Sequence, residues 1–158
     1  MYNTNNSYFS NSLLHWYDSN SRDLPWRKTN DLYKIWISEV MLQQTRVDTV
    51  VPYYLRWVEK YKSIKSVAKA DDLKLLKLWE GLGYYSRCRN FHKACKIIVN
   101  DYGGEIPSDY QKFRLLPGVG DYTASAVFSI GLKQTYAATD GNVRRVMARV
   151  LRIKNITN

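Results

Sequence analysis

The chain has 158 residues and carries 24 Lys and Arg against 14 Asp and Glu, which gives a net charge of +10. That length allows about one domain whose core needs neither disulfides nor metals. A hydrophobic share of 45%, with five Trp and thirteen Tyr, excludes a disordered charged tail. The isoelectric point of about 9.6 indicates a polyanionic partner, most often a nucleic acid.

Targeting signals and disulfides are not predicted. No run of the sequence approaches the roughly 18–20 apolar residues of a membrane span. The first residues lack the basic region and the apolar stretch of a signal peptide, so we expect no membrane association. With only two cysteines, a reducing compartment is the simpler interpretation.

Apolar residues recur with the helical period along the whole chain. Asp31 or Asn30 is expected to cap the second helix, the pair Asp71–Asp72 to head the fifth, and Pro52 to lie near the first turn of the third. No stretch alternates long enough for a strand, so the sequence predicts an all-α fold. The predicted helices are 8–18, 31–44, 47–61, 63–69, 71–79, 86–101, 108–115, 121–132 and 140–152, with glycine-rich corners at 81–83, 103–104 and 118–120.

The segment LPGVG at 116–120 lies between two predicted helices. Gly118 and Gly120 open backbone conformations that other residues avoid, and Val119 can fill the gap between the helices. The amides of the turn and of the following helix would then form an anion site suited to a DNA phosphate. The alternative is a plain turn between two helices.

A second corner, EGLGYYSR at 80–87, has a similar design. Tyr84 and Tyr85 are either core aromatics or exposed rings that wedge into a base stack.

Two carboxylates stand in unlike surroundings. Glu39 lies in the apolar run IWISEVML, where desolvation would raise its pKa and favour a general acid. The alternative is a solvent-facing Glu39 beside Gln43. Asp140 precedes a predicted helix as an N-cap, and a capped carboxylate can also stabilise a sugar cation. Such a pair follows the logic of glycoside hydrolysis, although sequence spacing does not show that the two residues meet.

Several motifs together resemble one family. LPGVGDYTA at 116–124 followed by TDGNVRRV at 139–146 resembles the helix-hairpin-helix DNA glycosylases with their trailing catalytic Asp. SEVMLQQT at 38–45, LPWR at 24–27 and WEGLGYYSRCRNFHKA at 79–94 narrow the resemblance to the MutY-type adenine DNA glycosylases, over about residues 8–152. The resemblance implies an endonuclease III-like helical barrel that excises adenine opposite 8-oxoguanine or guanine in double-stranded DNA.

The resemblance also implies residue roles. Glu39 matches the acid that protonates adenine, Asp140 the carboxylate that stabilises the oxocarbenium ion, Tyr122 the neighbouring tyrosine and Asn142 a polar partner. Endonuclease III-like relatives carry a Schiff-base Lys at the Tyr122 position, so a monofunctional enzyme is expected. The implied base pocket is Arg22, Trp26 and Arg27, and the implied DNA-binding residues are Gln43, Gln44, Thr45, Gly83, Tyr84, Arg87, Gly118, Val119, Gly120 and Thr123.

Three parts are expected from the resemblance: an N-terminal helix at 1–28, a six-helix barrel with the hairpin at 29–135, and the truncated start of a cluster domain at 136–158. The four cysteines of the family's 4Fe-4S cluster and its 8-oxoguanine-reading domain do not occur, so the cluster is expected only in a full-length form and no metal in this chain. The hairpin at 116–120 is a candidate for a monovalent cation. Cys88, Cys95, Leu13, Trp16 and Tyr17 are expected to pack in the core, except where the first helix would meet missing C-terminal helices.

The expected protein is a monomer, located in the cytoplasm of a bacterium or in a eukaryotic nucleus or mitochondrion. Two other functions stay open. A thymine–guanine mismatch glycosylase shares the Tyr and Asp, although Gln43 and Gln44 favour the adenine enzymes. A non-catalytic or truncated DNA-binding module is the other alternative, and the presence of both Glu39 and Asp140 argues against it.

Overall fold

A computed structural model describes residues 4–153, and all regular elements within them are helical, as predicted. In this part of the chain no helix is both long and apolar enough to cross a membrane. The predicted helices are confirmed, with their ends shifted by a few residues. They are α1 (Thr4–Asn20), a 3-10 turn (Pro25–Arg27), α2 (Leu32–Leu42), α3 (Val47–Lys60), α4 (Ile64–Ala68), α5 (Asp72–Trp79), α6 (Tyr85–Asp101), α7 (Tyr110–Arg114), α8 (Asp121–Gly131) and α9 (Gly141–Val150).

Helix α2 is the hub of the core. It packs against α3, α6 and α8, and its residues from 35 to 41 are all buried. The Trp36 ring lies 4.5 Å from the ring of Phe91 and 5.3 Å from that of Phe113, centroid to centroid. A helix that is apolar on every side must be buried, and this burial carries Glu39 into the interior with its neighbours.

Capping side chains begin the helices where the sequence places them. The Asp31 carboxylate accepts a hydrogen bond from the Tyr33 amide at 2.9 Å, and that of Asp71 accepts one from the Leu73 amide at 3.0 Å. These bonds satisfy amides that have no partner within the helix.

Pro52 does not lie in the first turn of α3, so that expectation is wrong. The helix begins at Val47, which places Pro52 one turn further along, inside the helix. A proline there removes one hydrogen bond to the preceding turn. The helix continues because Val50, Tyr54 and Trp57 anchor it in the core on both sides of the proline.

The turn at 116–120 joins α7 to α8 and forms a helix-hairpin-helix, as predicted. Gly118 has φ of +76°, and a Cβ at this position would lie 2.9 Å from the Cβ of Asn90 on α6. The position therefore requires glycine both for its backbone angle and for the close approach of α6. Val119 is buried beneath the turn, which confirms its predicted packing role.

The apolar stripe of helix α1 is exposed to solvent. Leu13, Trp16 and Tyr17 are 52%, 58% and 43% exposed, so the prediction that they are core residues is wrong. The helical period shows only that one face is apolar, and no described element covers this face. The expectation of an uncovered face on the first helix is confirmed. The predicted three-part division of the chain stays a prediction.

Candidate active site

A cleft of about 1160 Å³ opens beside α2 and brings together motifs from distant parts of the chain, from Arg22 to Asn142. Its walls come from the 3-10 turn, α2 and the corner after it, the start of α6, α8 and the start of α9. Of the predicted site residues it contains Arg22, Trp26, Arg27, Glu39, Gln43, Gln44, Thr45, Tyr84, Arg87, Tyr122, Asp140 and Asn142.

Glu39 lies at the inner wall of this cleft. Its side chain is only 8% exposed, so the alternative of a solvent-facing Glu39 is wrong. Burial raises the pKa of the Glu39 carboxyl, and a hydrogen bond with Tyr122 acts weakly in the opposite direction. Desolvation penalises the charged form, so this carboxyl favours its neutral, proton-donating state.

Tyr122 connects the two carboxylates electrostatically. It stands in the first turn of α8 with its side chain partly exposed to the cleft. Burial, followed by the negative charges of Glu39 and Asp140, raises the pKa of Tyr122 to about 12. The phenol is therefore neutral near pH 7 and can donate its proton in a hydrogen bond to Glu39.

Asp140 begins α9 and also lines the cleft. One carboxylate oxygen accepts a hydrogen bond from the Val143 amide at 2.7 Å, and the other accepts one from Nδ2 of Asn142 at 3.1 Å. Arg145 in turn donates to Oδ1 of Asn142. The predicted N-cap is confirmed, and the same side chain also faces the cleft. The arrangement suits a fixed carboxylate anion.

The 3-10 turn supplies another part of the cleft lining. Trp26 is buried and meets the ring of Tyr54 edge to face at 5.2 Å. The Arg27 guanidinium lies 5.4 Å from the centroid of the Tyr17 ring and donates to the carbonyl oxygen of Arg22 at 3.1 Å. Tyr17 thus contributes to the cleft from α1, a role that the sequence analysis missed.

Two corners at the rim contain exposed side chains on unusual backbone. Gln44 follows α2 with φ of +56°, and Tyr84 precedes α6 with φ of +47°. Both side chains are exposed, Tyr84 by 58%, so the alternative of Tyr84 as a core aromatic is wrong. Left-handed residues other than glycine are uncommon and concentrate at functional sites.

Two residues expected to bind DNA are turned inwards instead. Arg87 is 8% exposed, and its guanidinium donates to main-chain oxygens such as that of Met41 at 2.8 Å. Thr123 is 2% exposed, and its hydroxyl accepts a hydrogen bond from Gln43 at 3.3 Å. Neither side chain is free to meet a phosphate, because each is committed to holding the cleft wall together.

The remaining predicted DNA-binding residues lie outside the cleft lining. Gly118, Val119 and Gly120 form the hairpin turn between α7 and α8, and Gly83 uses its carbonyl oxygen to accept from Trp79 at 3.0 Å. These positions form a second surface next to the cleft rather than part of its lining.

Other lining residues were missed, although helical spacing could have indicated some of them. Ile35 and Leu42 stand four residues before and three after Glu39, on the same face of α2. The missed lining residues are Tyr17, Leu24, Ile35, Ser38, Leu42, Arg46, Val47, Ser86 and Ile130.

The two cysteines do not fit an iron–sulfur cluster. Cys88 and Cys95 are buried in the core on α6, as predicted. Burial raises the pKa of Cys88 to about 12 and also that of Cys95, which disfavours the thiolate that a cluster requires. Within residues 4–153, no three His, Cys, Asp or Glu side chains group together to hold a metal ion.

Comparison with known proteins adds the family. A family model described as "HhH-GPD superfamily base excision DNA repair protein" matches residues 37–158. The chain belongs to this superfamily. An adenine DNA glycosylase of Rattus norvegicus is 46% identical over 151 residues, which cover 90% of this chain and 29% of that protein. The chain therefore spans less than a third of the length of that curated relative.

Solved structures of the superfamily share the fold. A thermostable thymine-DNA glycosylase matches with a TM-score of 0.85 and 31% identity, over 89% of this chain and 65% of that one. Endonuclease III in a trapped covalent intermediate with DNA matches with a TM-score of 0.79 and 24% identity, over 92% of this chain and 68% of that one. The predicted helix-hairpin-helix, endonuclease III-like fold is confirmed.

Proposed function

We propose that this chain removes adenine from double-stranded DNA in which the base is mispaired with 8-oxoguanine or guanine. The observation that carries the proposal is that a buried Glu39 and a helix-capping Asp140 line the same cleft and both act on Tyr122. A protonated acid opposite a fixed anion is the requirement for cleaving a glycosidic bond through a cationic sugar.

Glu39 supplies the proton in this mechanism. Its raised pKa favours the neutral carboxyl, from which Glu39 can protonate a ring nitrogen of adenine and make the base a better leaving group. The bond between the sugar C1′ and the base then breaks, and the bonding electrons leave with the protonated base. Tyr122 stays neutral and holds the Glu39 carboxyl by its hydrogen bond.

Asp140 stabilises the sugar cation that this step produces. The carboxylate is held in place by the Val143 amide and by Asn142, so little reorganisation is needed when positive charge develops. Water then adds to C1′ and releases a proton, which leaves an abasic sugar in an intact strand. Among residues 4–153, none of those that line the cleft is a lysine, so none of them offers an amine for a Schiff base and strand cleavage.

A base inside a duplex cannot reach this cleft without leaving the stack. The exposed Gln44 and Tyr84 stand at the rim, where they can fill the space that the base vacates. Arg22, Trp26 and Arg27 line the cleft and are proposed to receive the extruded adenine. The hairpin residues Gly118, Val119 and Gly120 and the net charge of +10 are proposed to hold the phosphate backbone, with a monovalent cation at the hairpin.

Thymine removal from T:G mispairs is the second candidate, because the similar thymine-DNA glycosylase shares the fold at a TM-score of 0.85. Adenine is favoured by the chemistry of Glu39. A neutral acid assists departure of a base with a basic ring nitrogen, which adenine has and thymine lacks.

A single-turnover assay on the 158-residue chain tests the proposal, with duplexes that contain A:8-oxoguanine, A:G or T:G. We expect excision from the two adenine duplexes and no covalent adduct after borohydride treatment. Excision from T:G alone would favour the second candidate. Binding without excision would indicate a DNA-binding module, in which case the catalytic proposal is wrong.

A further inference from the structure

One buried side chain, Arg87 on α6, joins the two corners at the rim of the cleft. It is 8% exposed, and no carboxylate pairs with it among the ion pairs of residues 4–153. Its guanidinium instead donates to a ring of neutral oxygens. Nη1 donates to the main-chain oxygens of Val40 at 3.1 Å, Met41 at 2.8 Å and Gln43. Nη2 donates to Oγ1 of Thr45 at 3.1 Å and to the main-chain oxygens of Leu82 at 3.3 Å and Gly83 at 3.2 Å.

These acceptors flank the two left-handed residues. Gln43 and Thr45 stand on either side of Gln44, and Gly83 directly precedes Tyr84. The guanidinium also lies 5.3 Å from the centroid of the Tyr84 ring. Backbone strain of this kind persists only where the surroundings hold the chain in place, and Arg87 is the group that contacts both corners.

The planar guanidinium suits this task in a way that lysine does not. Its terminal nitrogens point in fixed directions, so one group can serve the end of α2 and both corners at once. A lysine would place a single point charge near the same oxygens and could not span them. Burial of an unpaired cation is costly, which makes a purely space-filling role for Arg87 a poor explanation.

We propose that Arg87 is a positioning residue that fixes the backbone at Gln44 and Tyr84 together, so that the two exposed side chains enter a duplex as one unit. The inference rests on the proposed function in one respect, namely that these side chains open the base stack. It also makes a claim about the free protein: the corners at 43–45 and 82–84 are held by a shared group and loosen together.

Amide hydrogen exchange tests the claim about the free protein. The reporters are the amides of Thr45 and Leu82, which donate within the two corners to Leu42 and Trp79. We expect Arg87→Lys to speed exchange at both amides by about tenfold or more, the effect of losing one charge-assisted hydrogen bond. Arg89→Lys, the same exchange at an exposed position of α6, is the matched control and leaves both amides unchanged. Faster exchange at one corner alone, or at neither, overturns the inference.

The consequence for DNA is tested with a duplex that carries 2-aminopurine next to the mispaired adenine. Its fluorescence rises when the stack opens. We expect Arg87→Lys to reduce the amplitude of that rise without moving the pH profile of excision, which a change at Glu39 would move. In a chain that already carries Gln44→Ala and Tyr84→Ala, adding Arg87→Lys should have no further effect on the rise, because Arg87 acts through these two residues.

The outcomes separate the two proposals. A full rise with Arg87→Lys, or an equal loss with and without the two alanine substitutions, overturns the positioning role. No rise with the unsubstituted chain contradicts the proposed function and the duplex part of the inference, while hydrogen exchange still decides whether Arg87 holds both corners.

Discussion

The two walls of the cleft hold their carboxylates by opposite means. Glu39 projects from α2, which is buried on all sides, and desolvation raises its pKa. Asp140 begins α9, a helix in which Ala148 alone is buried, and hydrogen bonds from Val143 and Asn142 hold its carboxylate oxygens in place. Burial in the core raises the pKa of Glu39, whereas hydrogen bonds at the start of α9 fix the position of the Asp140 carboxylate. Two side chains of the same chemical type thereby stand in environments that suit the two different roles proposed for them.

The largest effect on the excision rate is expected at Glu39, on the wall of the cleft that α2 forms. Glu39→Gln keeps the size of the side chain and removes its transferable proton, so single-turnover excision should fall about 10²–10⁴-fold with DNA binding retained. Glu59→Gln, at an exposed position of α3, is the matched control and should leave the rate unchanged. An unchanged rate with Glu39→Gln would show that Glu39 is not the acid.

A substitution of Asp140, at the start of α9, should lower the excision rate by a different route. Asp140→Asn removes the charge and keeps an N-cap of about equal quality, so excision should fall about 10²–10³-fold while the free energy of unfolding hardly changes. Asp109→Asn makes the same exchange at the cap of α7, where Asp109 accepts from the Lys112 amide at 2.8 Å. If Asp140→Asn lowers the free energy of unfolding together with the excision rate, the loss of rate cannot be assigned to the charge of Asp140 and the contrast with Glu39 is wrong.

Tyr122 lies between the walls, and its hydroxyl offers a finer test. Excision needs the protonated form of Glu39, so the rate should fall as pH rises through the pKa of this group. The hydrogen bond from Tyr122 lowers that pKa, so Tyr122→Phe should move the fall to higher pH. A pH–rate profile of both proteins measures the shift, with Tyr8→Phe on α1 as the control. A fall that moves to lower pH would contradict the described hydrogen bond.

The smallest effect concerns stability. Because the pKa of Glu39 is raised above 4.5 in the folded state, the folded chain binds more protons than the unfolded chain between the two pKa values. Stability should therefore decline as pH rises through this interval. Glu39→Gln abolishes that decline and should be the more stable protein at neutral pH. Urea unfolding between about pH 4 and 8 compares the two, and a pH-independent difference would refute the argument.

Local features of the fold were predictable because they depend on neighbouring residues. The helical period located the helices, and Asp31 and Asp71 cap helices as their residue type suggests. The stripe on α1 misled the prediction, since periodicity marks an apolar face and does not show what covers it. Trp16 is thus exposed despite its pattern.

The site was predictable in its parts but not in its assembly. The run around Glu39 indicated burial, yet only the packing of α2 against α8 brings Glu39 to Tyr122 and the cleft shared with Asp140. The family resemblance implied that Arg87 binds DNA, whereas the structure buries its side chain. The Arg87 guanidinium donates to main-chain oxygens such as those of Val40, Met41 and Gly83, and a motif of side chains does not predict such contacts.

The placement of the acid on the central helix limits how the protein can change. Any substitution that repacks Trp36 or its neighbours on α2 also alters the dielectric around Glu39. Such a substitution therefore changes the stability of the fold and the pKa of Glu39 at the same time. Positions on α9 have no such link to the core, because Ala148 alone is buried in that helix, and they can vary without disturbing it. Mutational tolerance should therefore be graded across the cleft, lowest on α2 and highest at the exposed positions of α9.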